Sequence, residues 1–165
     1  MRIQKLMLLL VSVLPVLCHA QKFELKQPDI KKIVAAVKAS EYTNDEMLIY
    51  LKQNYKTAEK PTGVKKDVEF ENQPICSFKQ KFEGGIEYFI DSCGESKGTN
   101  VLLTLPKTDT ATLKKWIEKM YKVNGTEIKN VWDGLIYRPE DEGAGCYYEI
   151  KQSKNKTVVE MYCGC

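Results

Sequence analysis

The stretch CSFKQKFEGGIEYFIDSC, residues 76–93, decides the fold. Cys76, Phe78 and Phe82 alternate with Ser77, Lys79 and Lys81, the period of a strand with one buried face. Gly84-Gly85 is a two-residue hairpin signal, and Ile86 to Asp91 returns as the partner strand. With those glycines as the central turn residues, Cys76 falls directly opposite Cys93 at a non-hydrogen-bonded pair. There Cα atoms come within roughly 4.5 Å, inside the range of a disulfide.

The end of the chain repeats the pattern in CYYEIKQSKNKTVVEMYC, residues 146–163. A turn at Lys154-Asn155 sets Cys146 opposite Cys163, Tyr148 opposite Met161 and Ile150 opposite Val159, giving one apolar face. A one-residue slip would scatter those side chains. Each of the two pairings closes a loop of similar length, worth about 3 kcal/mol in the chain-entropy account. On the opposite face the same register pairs Tyr147 with Tyr162 and Glu149 with Glu160.

Outward from these hairpins, Val68 and Phe70 alternate with charge as a further strand, and Val101 to Leu105 form another before Pro106. Asp133-Gly134 marks a hairpin within Ile128 to Tyr137. Leu113, Trp116, Ile117 and Met120 share one face of a helix near Asp109 to Tyr121, which Asn124-Gly125 ends. Toward the N-terminus, Ile30, Ile33, Val34 and Val37 recur at helical spacing. Thr43 and Glu46 form a capping box ahead of Met47, Leu48, Leu51 and Tyr55. Gln21 to Gln27 reads as a polar, loosely held segment and Lys56 to Lys66 as a linker around Pro61-Thr62-Gly63. No internal repeat is visible. The expected fold is α+β: two N-terminal helices, a mainly antiparallel sheet built of hairpins with one further helix between strands, and disulfide bracing.

Residues 1–20 carry the zones of a secretory signal: Arg2 and Lys5, an apolar run from Leu6 to Leu17, and Cys18-His19-Ala20 before Gln21. The expected organisation is a leader over 1–20, a helical segment over 21–65 and an antiparallel core over 66–165, with 21–165 one compact domain. The product is expected in the periplasm or outside the cell, with no membrane span in the mature chain.

Removing the leader leaves 23 basic and 22 acidic residues, no histidine, and Arg138 as the one arginine. Without imidazole, Ser-His-Asp, Cys-His and His-zinc chemistry are closed to the mature chain. A near-neutral protein with a single arginine is a poor fit to nucleic acid. No cofactor fingerprint or metal-ligand spacing occurs, and Glu140, Asp141 and Glu142 lack the spacing of a calcium loop. Opposed carboxylates at Glu149 and Glu160 could share a proton, but a solvated pair beside Lys151 is the simpler reading. Asn124 and Asn155 stand in glycosylation sequons whose use depends on the source organism.

These exclusions favour an exported, non-enzymatic module that binds another protein, with inhibition or toxin neutralisation as concrete forms. The expected contact surface is Tyr147 and Tyr162 with Arg138 and the acidic loop Glu140, Asp141 and Glu142, aromatic anchors beside a polar rim. The alternative uses the terminal Cys163-Gly164-Cys165 in thiol exchange or soft-metal handling, with Cys165 a free thiol once the other four cysteines are paired.

Overall fold

The structure is a computed structural model, and it describes residues 23–39, 45–94, 98–125 and 127–164. The leader reading over 1–20, Thr43 of the expected capping box and Cys165 lie outside these residues.

Helices α1 (Ile30–Ala39) and α2 (Glu46–Asn54) precede a four-stranded meander, β1 (Thr62–Lys66), β2 (Ile75–Phe82), β3 (Ile86–Asp91) and β4 (Thr99–Pro106). Helix α3 (Thr110–Tyr121), extended by a short 3-10 turn over Lys122–Asn124, then leads to a second meander. Its strands are β5 (Asn130–Asp133), β6 (Ile136–Pro139), β7 (Gly145–Gln152) and β8 (Lys156–Gly164). All eight form one antiparallel sheet in the order β1-β2-β3-β4-β8-β7-β6-β5. The chain thus consists of two helix-then-four-strand halves joined along their last strands, β4 and β8. This two-part plan is a repeat of architecture that leaves no repeat in the sequence.

Register explains the core. One row of side chains runs Phe78, Ile90, Val101, Met161, Tyr148, Tyr137 and Trp132 across seven strands; the next runs Gln80, Tyr88, Leu103, Val159 and Ile150. Onto this inner face pack Ile33 of α1, Met47, Leu48, Tyr50 and Leu51 of α2, and Leu113, Trp116, Ile117 and Met120 of α3. Trp116 and Tyr50 meet edge to face at 5.2 Å, linking α2 to α3. Helix α3 begins where expected, with the Asp109 carboxylate accepting the Thr112 N–H. Helix α2 is capped by Asp45, whose carboxylate accepts the Leu48 N–H at 2.7 Å, so its cap stands two positions after the one the sequence suggested.

Four expectations need correction. The first hairpin is shifted by one residue: Phe82 pairs with Ile86 and Ser77 with Asp91, so the loop is Glu83-Gly84-Gly85 and Ser92, not Cys93, bonds to the Cys76 carbonyl. The Cys76–Cys93 disulfide forms all the same, because the chain leaves the ladder after Asp91 and Cys93 turns back within a Cα separation of 4.9 Å. Val68 and Phe70 are not in a strand: they lie in the loop that closes when the Asp67 N–H donates to the Pro74 carbonyl, and Val68 is 80% exposed. The linker reading fails at its end, since Thr62–Lys66 joins the sheet as an edge strand. Finally, the polar N-terminal segment is tied down from Phe23 onward. Leu25 is in the core, the Lys26 carbonyl accepts the Tyr50 hydroxyl, and Phe23 stacks on Tyr55.

The last hairpin matches its expected register throughout, from Cys146 opposite Cys163 to Gln152 opposite Thr157. The Cys146–Cys163 disulfide is formed, with Cα atoms 4.1 Å apart. At the β5–β6 turn, Asp133 pairs with Ile136, so the central residues are Gly134 and Leu135. Positive φ is confined to Gly134, as a type II′ turn requires of its first central residue.

Leu103 and Leu102 are neighbours on β4 with opposite fates, 0% and 37% exposed. Leu103→Ala is expected to lower stability in urea unfolding by about 3–4 kcal/mol, the cost of a cavity at the seam, and Leu102→Ala by about 1 kcal/mol or less.

Candidate functional site

Because β-strand side chains alternate, burying the odd residues of β4 puts the even ones on the outer face. There, one row runs Lys79, Phe89, Leu102, Glu160, Glu149 and Ile136; the next runs Asp91, Asn100, Tyr162 and Tyr147. The three helices contribute their buried side chains to the other face. Among the described residues, this outer face therefore carries no covering layer.

The expected contact residues divide as follows. Tyr147 and Tyr162 are cross-strand neighbours on the outer face, each half-buried. The Tyr147 hydroxyl donates to the Gly143 carbonyl at 2.8 Å, tying the ring to the β6–β7 loop. Tyr162 lies close over Gly164, where an added Cβ would stand 2.5 Å from its hydroxyl and push the ring aside. Trp132 and Tyr137, by contrast, face inward. Trp132 donates to Glu118 of α3 at 2.7 Å, and Tyr137 meets Tyr121 edge to face.

Arg138 follows Tyr137, the last β6 residue paired with β7. Its guanidinium bonds Glu142 at 2.9 Å and Asp133 at 3.3 Å. Glu140 pairs instead with Lys129 at 2.9 Å, and Asp141 is exposed and adds to the field that holds the Lys129 ammonium above its usual range after the Glu140 hydrogen bond. The acidic run is thus an ordered loop held by two cations, and Arg138 is its hinge pin. Two shallow depressions border the tyrosine pair, of about 300 Å³ and about 430 Å³.

Glu149 and Glu160 are indeed opposite each other, and Lys151 supplies what the pairing needs. Its ammonium stands 2.6 Å from Glu160 and 3.2 Å from Glu149, and these contacts, the Glu160 hydrogen bond first, raise its pKa. The three groups form an exposed ion cluster, and solvent screens such a cluster strongly. Lys151→Met is expected to lower the urea midpoint at low ionic strength, with the difference from wild type shrinking in 1 M salt, where the Debye length falls to about 3 Å. Among the described residues no group of three metal-ligating side chains occurs. Cys163 is committed to Cys146.

The residues that sequence reasoning missed lie on the other side of the sheet. A cleft of about 580 Å³ opens between the start of α2 and the end of the inner face where both disulfides sit. Asp45 and Glu46 of α2 border it with Tyr88 of β3, and its walls include Leu48, Phe78, Ile90 and Met161. Burial of the Asp45 carboxyl pushes its pKa up to about 7; the neighbouring Glu46 charge adds to this, and the Leu48 N–H bond opposes it without winning. Tyr88 is 1% exposed, and its buried hydroxyl faces the Asp45 carboxylate. Burial, followed by the Asp45 charge, raises its pKa far above that of a free phenol. The sequence reading placed the helix cap at Thr43, so it named neither Asp45 nor the cleft.

The chain matches no protein-family model, no curated protein and no solved structure.

Asp45 carries a pH dependence with a definite sign. Its carboxyl titrates near 7 folded and near its ordinary 3.8 unfolded. Between these values the folded chain holds a proton that the unfolded chain has released, so this contribution is complete below about pH 4 and is lost as pH rises through 7. Asparagine caps helices as well as aspartate. Asp45→Asn is therefore expected to flatten the stability profile between pH 4 and 7 and to exceed wild type at pH 8 by on the order of 1–2 kcal/mol in urea unfolding.

Proposed function

We propose that this protein is an exported, non-enzymatic binding module that docks another folded protein on the outer face of its sheet. The observation that carries the reading is the uncovered row of Tyr147 and Tyr162, flanked by Leu102, Ile136 and the Arg138 loop. Both rings are held before any partner arrives, Tyr147 by its bond to Gly143 and Tyr162 by its close seat over Gly164. Preset aromatic anchors lose little conformational freedom on binding, and tyrosine is among the residues that dominate interface energies. Leu102 and Ile136, each 37% exposed, extend the apolar centre. The ion pairs of Arg138 with Asp133 and Glu142 supply a polar rim.

Two disulfides support an oxidising compartment such as the periplasm or the cell exterior. No described helix is long and apolar enough to cross a membrane. A positively charged, apolar N-terminal stretch over residues 1–20 supports export by the same route. A partner that is inhibited or neutralised by this docking is the most specific form of the reading, since a rigid face can cover another protein's working surface without chemistry of its own.

The test is capture of a partner from the extracellular and envelope fractions of the native source on immobilised protein, followed by affinity measurement. Tyr147→Ala and Tyr162→Ala are each expected to weaken the complex by at least about tenfold, and Arg138→Ala by less, through loosening of the loop. Unchanged affinity in the Tyr147→Ala/Tyr162→Ala double variant, with its near-ultraviolet circular dichroism intact, would remove the outer face from consideration.

A further inference from the structure

The outer face, taken above as a docking surface, carries an unbalanced charge at its centre. Glu149 and Glu160 stand opposite each other on β7 and β8, and the single ammonium of Lys151 serves both, at 3.2 Å and 2.6 Å. In the free protein this costs little, because water screens the exposed cluster. A protein laid over the face removes that screening. Two covered carboxylates would then share one cation, and a covered charge without a counter-charge strongly opposes association. The arrangement is repeated at the β6–β7 loop, where the one guanidinium of Arg138 lies between Asp133 and Glu142. Two cations against four carboxylates leave these two clusters at a net −2, on a chain whose own net charge is +3.

The relief of the surface agrees with the charge. The two shallow depressions share Tyr147 and Tyr162 as a common wall. The smaller is lined by Glu149 and Glu160, with Leu102 and Ile136 at the two ends of the same row; the larger is bordered by Glu142. Neither has a lysine or arginine among the described residues that line it. The basic side chains elsewhere on this face stand on β2, with β3 and β4 between them and β8. They are engaged there: Lys81 pairs with Glu59, and Lys79 lies over the Phe89 ring at 5.6 Å.

These features select what a partner must bring. An acidic side chain over the smaller depression would meet two carboxylates, and a purely apolar one would cover them unmatched. An arginine suits every wall. Its planar fork of donors can bond two carboxylates, its flat face can lie on tyrosine, and its hydrocarbon stem can cover leucine and isoleucine.

We propose that the partner of this face is a protein with a protruding arginine, whose guanidinium enters the smaller depression to bond Glu149 and Glu160 beside the Tyr147 and Tyr162 rings. The proposal rests on the docking reading for where the partner sits, and adds the chemistry that the partner carries. Lys151 is then a rival for the same two carboxylates, so removing it strengthens binding instead of weakening it.

The probe is the peptide acetyl-Ala-Leu-Arg-Leu-Ala-amide, compared with analogues that carry citrulline, an uncharged isostere, or glutamate at the central position. Each is titrated into the intact protein at low ionic strength and followed through backbone-amide NMR shifts. The arginine peptide is expected to saturate shifts centred on Leu102, Ile136, Glu149 and Glu160, and to bind at least about fivefold more tightly than the citrulline peptide. The glutamate peptide should not bind. Glu149→Gln/Glu160→Gln should erase the preference for arginine, and Lys151→Met should tighten the arginine peptide by about threefold or more. No saturable binding, equal affinity for arginine and citrulline, an undiminished preference in the folded Glu149→Gln/Glu160→Gln variant, or weaker binding by folded Lys151→Met would overturn it. The captured partner separates this proposal from the docking reading. A partner that is lost with Tyr147→Ala/Tyr162→Ala yet indifferent to Glu149→Gln/Glu160→Gln overturns the arginine and keeps the docking face. A partner indifferent to both double variants removes the docking face, while the peptide titration still decides whether the depression takes a guanidinium.

Discussion

The pairing of β4 with β8 is the contact on which everything else depends. It joins the two halves through eight residue pairs, from Thr99–Cys163 to Pro106–Lys156, and places Val101, Leu103, Leu105, Val159 and Met161 at the centre of the core. Strand β8 is the last in the sequence and yet central in the sheet. The first meander therefore presents β4 as an open apolar edge until the whole chain is available, and such edges invite wrong pairing.

The same seam sets the two faces apart. Helices α1, α2 and α3 fill one side, and the α3 crossover runs from the central strand to the far edge at β5. On the other side the strands' alternate residues meet no second layer among the described residues. The outer face and the cleft beneath α2 thus lie on opposite sides of one sheet, connected through β7 and β8: Tyr147 and Tyr162 point outward, while Tyr148 and Met161, their immediate neighbours, point inward.

Legibility in the sequence followed the strength of alternation. The C-terminal hairpin was readable to the residue because Tyr148, Ile150, Val159 and Met161 admit one register, and its turn fits two residues. In the first hairpin, Gly84-Gly85 suits either a two-residue turn or the end of a three-residue loop. Opposed cysteines favoured the wrong choice, and the disulfide formed because Cys93 had already left the ladder. Strand β1 has no buried face and is rich in lysine, as edge strands are, so it shows no alternation to detect. Val68 and Phe70 show the converse, alternation in a loop whose side chains find no core. Tyr147 and Tyr162 could be placed on one surface from register alone, and Arg138 was joined to them only by its nearness in sequence. The cleft could not, since Asp45 and Tyr88 meet only through the packing of α2 on β3, which no local pattern encodes.

The disulfides reinforce each half and leave the seam unlinked. Cys76–Cys93 lies wholly in the first meander and Cys146–Cys163 wholly in the second, each across a sequence separation of 17. The exposed stretch between the 3-10 turn and β5, around Glu127 to Lys129, is the natural place for a proteolytic nick. A cut there would yield two fragments, each internally stapled, with no disulfide between them among the described residues. Backbone ladder and side-chain core along β4–β8 would then hold them as a two-piece assembly, and separate production of the pieces becomes a route to a split, reconstitutable protein.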